Sequence, residues 1–210
     1  MTKSDGDTPP NQPEPADRIA ASAITLAGHK GWRSLTLPEI ATEAGMTLAD
    51  LSRHFSCKPE ILDGFERMID RVMLSGVAAD TGGDKPRDRL FDVIMARFDA
   101  LAPYRDGVRR ITRELPFDSA SGLVLTLAMP RTASWMLASA GIKVDGPFMP
   151  FRLAATTAFY LSVFRVWLND QSEDLSKTMA ALDRRLGQAG SLFGGAFARP
   201  PESPKKETPS

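Results

Sequence analysis

Residues 35–55 read LTLPEIATEAGMTLADLSRHF, and this stretch decides the fold. Thr36 followed by Glu39 is the residue pair of a capping box, with Pro38 in the first helical turn, where its missing N–H costs nothing. Leu37, Ile40, Ala41 and Ala44 then recur at helical spacing and give one apolar face. Gly45 supplies the positive φ on which helices commonly end. Thr47 with Asp50 opens a second helix, and Leu48, Leu51 and Phe55 are its apolar positions. Helix, tight turn and second helix make a helix-turn-helix, whose second helix can lie in a DNA major groove.

The flanking sequence extends the pattern on both sides. An amphipathic helix is expected from about Pro15 to His29, ended by Gly28 and Gly31, and a further one from Pro59 to about Val77. Ala20-Ala21, Gly31, Thr36, Ile40-Ala41, Ala44-Gly45, Leu51, His54-Phe55, Lys58, Glu60 and Leu62 together resemble the N-terminal domain of TetR-family transcriptional regulators. The resemblance covers roughly residues 16–65. It implies an all-α protein with a three-helix DNA-binding head at 15–58, a connecting helix at 59–78 and a helical ligand-binding and dimerisation body at 85–197. It further implies that Thr47, Leu48, Ala49, Ser52 and Arg53 face the groove, with Arg53 and Asp50 reading bases. Thr36, His54 and Lys58 would hold the phosphate backbone. The chain departs from the family where Gly-Thr-Leu-Tyr is usual, carrying Ala49-Asp50-Leu51-Ser52 instead. Ser52 has a shorter reach to a phosphate than Tyr, and Asp50 brings a negative charge that repels phosphates unless it takes a cytosine amine or serves as a cap.

Charge gives no global sign of a nucleic-acid partner, since the 26 basic and 26 acidic residues balance. Residues 16–76 hold seven cations and eight anions. Placement partly offsets this: Lys30, Arg33, Arg53 and Lys58, with His29 and His54, cluster at helix ends around the hairpin. The helix N-termini at Thr36, Thr47 and Pro59 offer backbone N–H groups to phosphates as well. Modest affinity, raised by dimerisation over two half-sites, is the expectation. The lone Cys57 excludes an intrachain disulfide and fits a reducing compartment. No run approaches a membrane span and the N-terminal stretch is polar and acidic, so a cytoplasmic protein without stable membrane insertion is expected. Residues 1–14 and 198–210 are rich in Pro and charge and are expected to be disordered.

Beyond a break at DTGGDKPRD, the chain reads as helices at 88–102, 105–113, from Ser119 through Pro130, 147–169 and from Ser172 onward. Arg105, Arg109, Arg110 and Arg113 fall on the short second one. They fit either a salt-bridged face with Asp106 and Glu114 or a grip on an anionic head group. The helix near 147–169 is apolar on more than one face, and that near 174–193 carries Leu175, Met179, Leu182, Leu186 and Leu192 on one stripe. Pairing both with their copies in a second subunit would bury the surplus; closing the monomer's own core is the alternative. Met95, Phe98, Met129, Trp135, Met136, Phe159 and Phe164 are candidates to line a pocket for a small apolar ligand, ordinary core packing being the other account of each.

Neither a catalytic constellation, a metal-ligand spacing nor a nucleotide fingerprint is present, so neither an enzyme nor a cofactor protein is expected. The expected function is ligand-responsive transcriptional repression through a DNA operator. One rival exists. Residues 154–186, with VWLNDQSEDLSKTMAALDRRL, resemble the C-terminal part of the ubiquinone-biosynthesis lipid-binding family that shares the TetR fold. That resemblance implies a quinone or isoprenoid carrier with a vestigial head, and it would make Ser191–Phe197 a membrane-touching end.

Overall fold

The computed structural model describes residues 13–77 and 85–189, and every regular element among them is helical. These are α1 (Pro15–Lys30), α2 (Leu37–Glu43), α3 (Leu48–Ser52), α4 (Lys58–Gly76), α5 (Pro86–Leu101), α6 (Arg105–Glu114), α7 (Ser119–Ser139), α8 (Met149–Asn169) and α9 (Ser176–Ala189). Short 3-10 turns, Ala102–Tyr104 and Leu115–Phe117, flank α6. The expected tails and the 191–197 segment lie outside the described residues, apart from Pro13 and Glu14.

The chain forms two compact units. One comprises the residues up to Met68 together with Pro103–Ala128, and the other Ile69–Ala102 together with Met129 onward. The division differs from the simple head-then-body order drawn from the sequence, because α6 and the first half of α7 join α1–α3.

In the first unit the reason is a close helix crossing. Gly28 on α1 and Gly107 on α6 meet so tightly that a Cβ on Gly107 would stand 2.0 Å from the Ile24 carbonyl oxygen. Only a residue without a side chain allows that approach. Ile19, Ile24, Ile40, Leu51, Ile61, Leu62 and Phe65 fill the core of this unit. Trp32, fully buried, donates its indole N–H to Ser121 Oγ at 2.9 Å and Asp118 Oδ2 at 3.2 Å, which ties the loop after α1 to the start of α7. Glu114 at the end of α6 accepts from the Arg33 N–H at 2.9 Å and from Arg110 Nε at 2.7 Å.

The second unit is organised around a buried ion pair and an aromatic stack. Asp70, on α4, and Arg97, on α5, are almost wholly excluded from solvent. Arg97 donates to Asp70 Oδ1 and to the Tyr160 hydroxyl, and Thr132 Oγ1 donates to both Asp70 oxygens at 3.0 and 3.1 Å. Four helices thereby share one polar knot, as a buried charge requires. Beside it Phe98 stacks on Trp167 at 5.4 Å and 10° and on Tyr160 at 5.7 Å, while Phe164 stacks on Trp167 at 5.7 Å.

The last helix starts later than Ser172. Asp170 is buried and gathers the N–H and hydroxyl of both Ser172 and Thr178. Burial pushes the Asp170 carboxyl up, but these four donors outweigh it and hold it well below the ordinary carboxylate range. The chain therefore spends residues 170–175 on a turn, with Leu175 at a φ of 54°, before α9 begins. No helix among the described residues is long and apolar enough to cross a membrane.

Candidate nucleic-acid interface

The hairpin is built by local chemistry. At the start of α2 the Glu39 carboxylate accepts from the Thr36 N–H at 2.9 Å and its hydroxyl at 2.8 Å. The Thr36 hydroxyl, with Lys30 behind it, lowers the Glu39 carboxyl to about 2. Gly45 takes a φ of 64°, the left-handed turn the sequence demands. Thr47 then caps α3: its hydroxyl accepts from the Asp50 N–H at 3.1 Å and donates to Asp50 Oδ2 at 2.6 Å. Leu51 is fully buried and Phe55 nearly so, which fixes the roll of α3 against α2 and α4.

That roll leaves the opposite side exposed. Thr47, Leu48, Ala49, Ser52, Arg53 and His54 all lie at the surface, and Leu48 is 47% exposed despite its apolar side chain. The five groove-facing residues expected from the sequence are thus brought onto one solvent-facing tip. Among the described residues of the unit, none covers it.

Two of the expected residues are engaged within the unit itself. Asp50 was a candidate base reader, yet both its oxygens are engaged: Oδ2 by Thr47 and Oδ1 by the Arg53 guanidinium at 3.1 Å. The Thr47 hydrogen bonds, and behind them the Arg53 charge, keep the carboxyl below its usual value. Asp50 is a cap that also restrains Arg53, which itself is 74% exposed. Lys58 was expected to hold a phosphate. Its ammonium instead donates to the carbonyls of Trp32 at 2.9 Å, Arg33 at 3.3 Å and Leu35 at 3.0 Å, and lies 5.2 Å from the Trp32 ring centroid. An ammonium has three N–H donors, and three carbonyls of the α1–α2 loop use them. Sequence spacing placed Lys58 correctly beside the hairpin but cannot show which oxygens a long side chain meets.

A consequence is testable. Lys58→Ala should destabilise the protein by about 1.5–3 kcal/mol, the usual worth of hydrogen bonds to a charged group, read as a lower thermal midpoint. The salt slope of DNA binding should stay within a few tenths of the parent slope. A slope smaller by about one with an unchanged midpoint would restore the phosphate role.

The candidate ligand-pocket residues all lie in the second unit, and the structure treats them unequally. Phe98 and Phe164 press their ring faces on Trp167 and so fill space, and Met136 is fully buried. Met95, Met129 and Phe159 are half-buried, whereas Trp135 is 46% exposed and stands at the surface.

Among the described residues, an all-helical chain whose first unit presents a capped, solvent-facing second helix has the architecture of a helix-turn-helix protein. Residues 19–64 match the family described as "Bacterial regulatory proteins, tetR family". Residues 19–64 thus resemble a TetR-family N-terminal domain, and the chain shares its fold with solved TetR-family regulators. A TetR transcriptional regulator from Nitrosomonas europaea ATCC 19718 is 26% identical with a TM-score of 0.68, covering 86% of this chain and 100% of that one. A tetR-family transcriptional regulator from Streptomyces coelicolor shares the fold at 15% identity and a TM-score of 0.57, over 91% and 92% of the two chains. The HTH-type transcriptional regulator YerO of Bacillus subtilis (strain 168) is 29% identical over 96 residues. That match takes in 44% of this chain and spans a third of the relative's length. These similarities are to regulators and lend no support to the lipid-carrier alternative.

Proposed function

We propose that the chain binds a DNA operator as a homodimer and represses transcription until a small apolar ligand releases it. One observation carries the reading: α3 buries Leu51 completely while Thr47, Leu48, Ala49, Ser52 and Arg53 stand in solvent. An exposed leucine costs little as a single surface residue, but beside Ala49 at a helix start it suits the 5-methyl groups of thymines in a major groove. Arg53 supplies the guanidinium for a guanine edge, and the exposed His54 is the nearby group for a phosphate, since both donors of Thr36 are taken by Glu39. Dimerisation supplies the second half-site. Its surface is α8 with α9, and the exposed Phe148, Met149, Phe151 and Leu161 at and along α8 support that assignment. Ligand control would act through α4, which runs from the head into the second unit and carries Asp70 of the buried knot. The reading places the protein in the cytoplasm.

Fluorescence anisotropy on the full chain, with DNA from upstream of its own gene against random DNA at several salt concentrations, tests it. Arg53→Ala should cost about 1–3 kcal/mol on the preferred fragment and much less on random DNA. Equal losses on both would remove Arg53 from base reading, and equal affinity of the parent protein for both would end the operator reading.

A further inference from the structure

The first half of α7, within the first unit, has its large side chains on the side away from the core. The positions turned inward are the small Ser121 and Ala128, both buried. On the opposite side Leu123 is 61% and Leu127 70% exposed, one helical turn apart, with the exposed Ala120 a turn before them. Phe117, just ahead of the helix, is 71% exposed. From Ser119 to Pro130 the sequence holds no charged residue, although a quarter of the chain is charged. The Thr126 hydroxyl is turned back to the Gly122 carbonyl at 2.8 Å. A helix face that meets only water ordinarily carries charged and polar side chains, and this one carries leucines.

We propose that this face is a self-contact. It takes the same face of a second copy of the chain, separately from the α8 surface, which lies in the other unit. Charge selects the occupant. Contact about a two-fold axis sets a patch against itself, so a patch of either sign would repel its copy, and this one has no charge to repel. Arg33, whose guanidinium lies 6.0 Å from the Phe117 ring centroid, borders the patch as a polar rim. Size sets the strength. A free phenylalanine side chain offers roughly 200 Å² and a leucine somewhat less, so the three exposed parts come to about 350 Å². Two such patches bury about 700 Å², short of the roughly 1,200 Å² at which stable interfaces begin. The contact is therefore weak between free chains and holds when chains already lie side by side. On a duplex with neighbouring sites, a local concentration of about 1 mM would engage it and make binding cooperative; that consequence alone rests on the operator reading.

Sedimentation equilibrium of the full chain without DNA tests the contact. The weight-average mass should rise between about 10 and 300 μM, with a dissociation constant on the order of 100 μM. Leu123→Gln combined with Leu127→Gln should raise that constant about tenfold or more. The thermal midpoint should not move, since both leucines are exposed and glutamine is a comparable helix former. Phe151→Gln, on the α8 surface, should lower the mass at the dilute end and leave the rise in place. The rise supports the contact whether or not F151Q moves the dilute end, which reports on the α8 dimer alone. A mass constant across the range overturns the self-contact, as does a rise that survives L123Q/L127Q or one that disappears with F151Q alone. A constant mass together with binding to phosphatidylglycerol vesicles that L123Q/L127Q abolishes would give the face to a lipid surface instead.

Discussion

Replacing Arg97 by methionine should destabilise the protein by about 3 kcal/mol, the lower end of the cost of breaking a buried ion pair, and lower the thermal midpoint by on the order of 10 °C. The loss comes from what is left behind. Asp70 is 3% exposed, and without Arg97 it keeps only the Thr132 hydroxyl and Arg131, whose Nε lies 3.5 Å away. That second guanidinium is why the lower end applies. Tyr160 loses a donor to its hydroxyl as well. Asp70→Asn combined with Arg97→Met should recover most of the deficit: no charge is then stranded, and the amide oxygen still accepts from Thr132. Melting curves of the two single variants and the double one decide it. If the double variant falls as far as the sum of the singles, the knot is not a coupled pair and the account fails.

The second large effect is expected at Trp32. Trp32→Ala should cost about 3–5 kcal/mol, the range for emptying a buried aromatic site. Trp32 is fully buried, its N–H joins Ser121 and Asp118, and its ring supports the Lys58 ammonium. Trp32→Phe separates the causes, since it keeps most of the apolar volume and loses only the donor, about 1–2 kcal/mol. There is a pH signature too. Burial pushes the Asp118 carboxyl up, but Ser121, then Trp32, then the Lys58 charge bring it below its ordinary value. A depressed carboxylate adds stability above its unfolded pKa, and that stability is lost as acid protonates the folded group. Trp32→Phe should therefore unfold with a shallower acid dependence than the parent. A dependence as steep as the parent's would show that the indole N–H contributes nothing to Asp118.

Much of the hairpin was legible because its determinants are local. Thr36 with Glu39, Thr47 with Asp50, and Gly45 each act within one helical turn, and all three operate as the spacing demands. The burial of Leu51 and Phe55 follows from 3.6-residue periodicity, and with it the exposure of Ser52 and Arg53. Helix limits were read to within a few residues for the same reason. The start of α9 was the exception, because Asp170 competes for donors that a helix from Ser172 would have used.

The sequence did not show where a long side chain ends. Lys58 is four methylenes from its backbone, and its three carbonyl partners lie 23 to 26 residues earlier in the chain. Of the two accounts of the α6 arginines, the salt-bridged face is the one the ion pairs show, Arg109 with Asp106 and Arg110 with Glu114. The spacing of Asp70 and Arg97, 27 residues apart, carries no signal of their pairing.

By itself, then, the sequence determined an all-helical chain with a capped helix-turn-helix and the side of α3 that faces water. Capping and amphipathic periodicity are short-range and write themselves into consecutive residues. Tertiary structure alone decided that α6 joins the unit holding the helix-turn-helix, that Lys58 serves the α1–α2 loop and that Asp70 is neutralised by Arg97. Those outcomes turn on close packing at Gly107 and on the need to pair every buried charge, and both are settled between residues far apart in the chain.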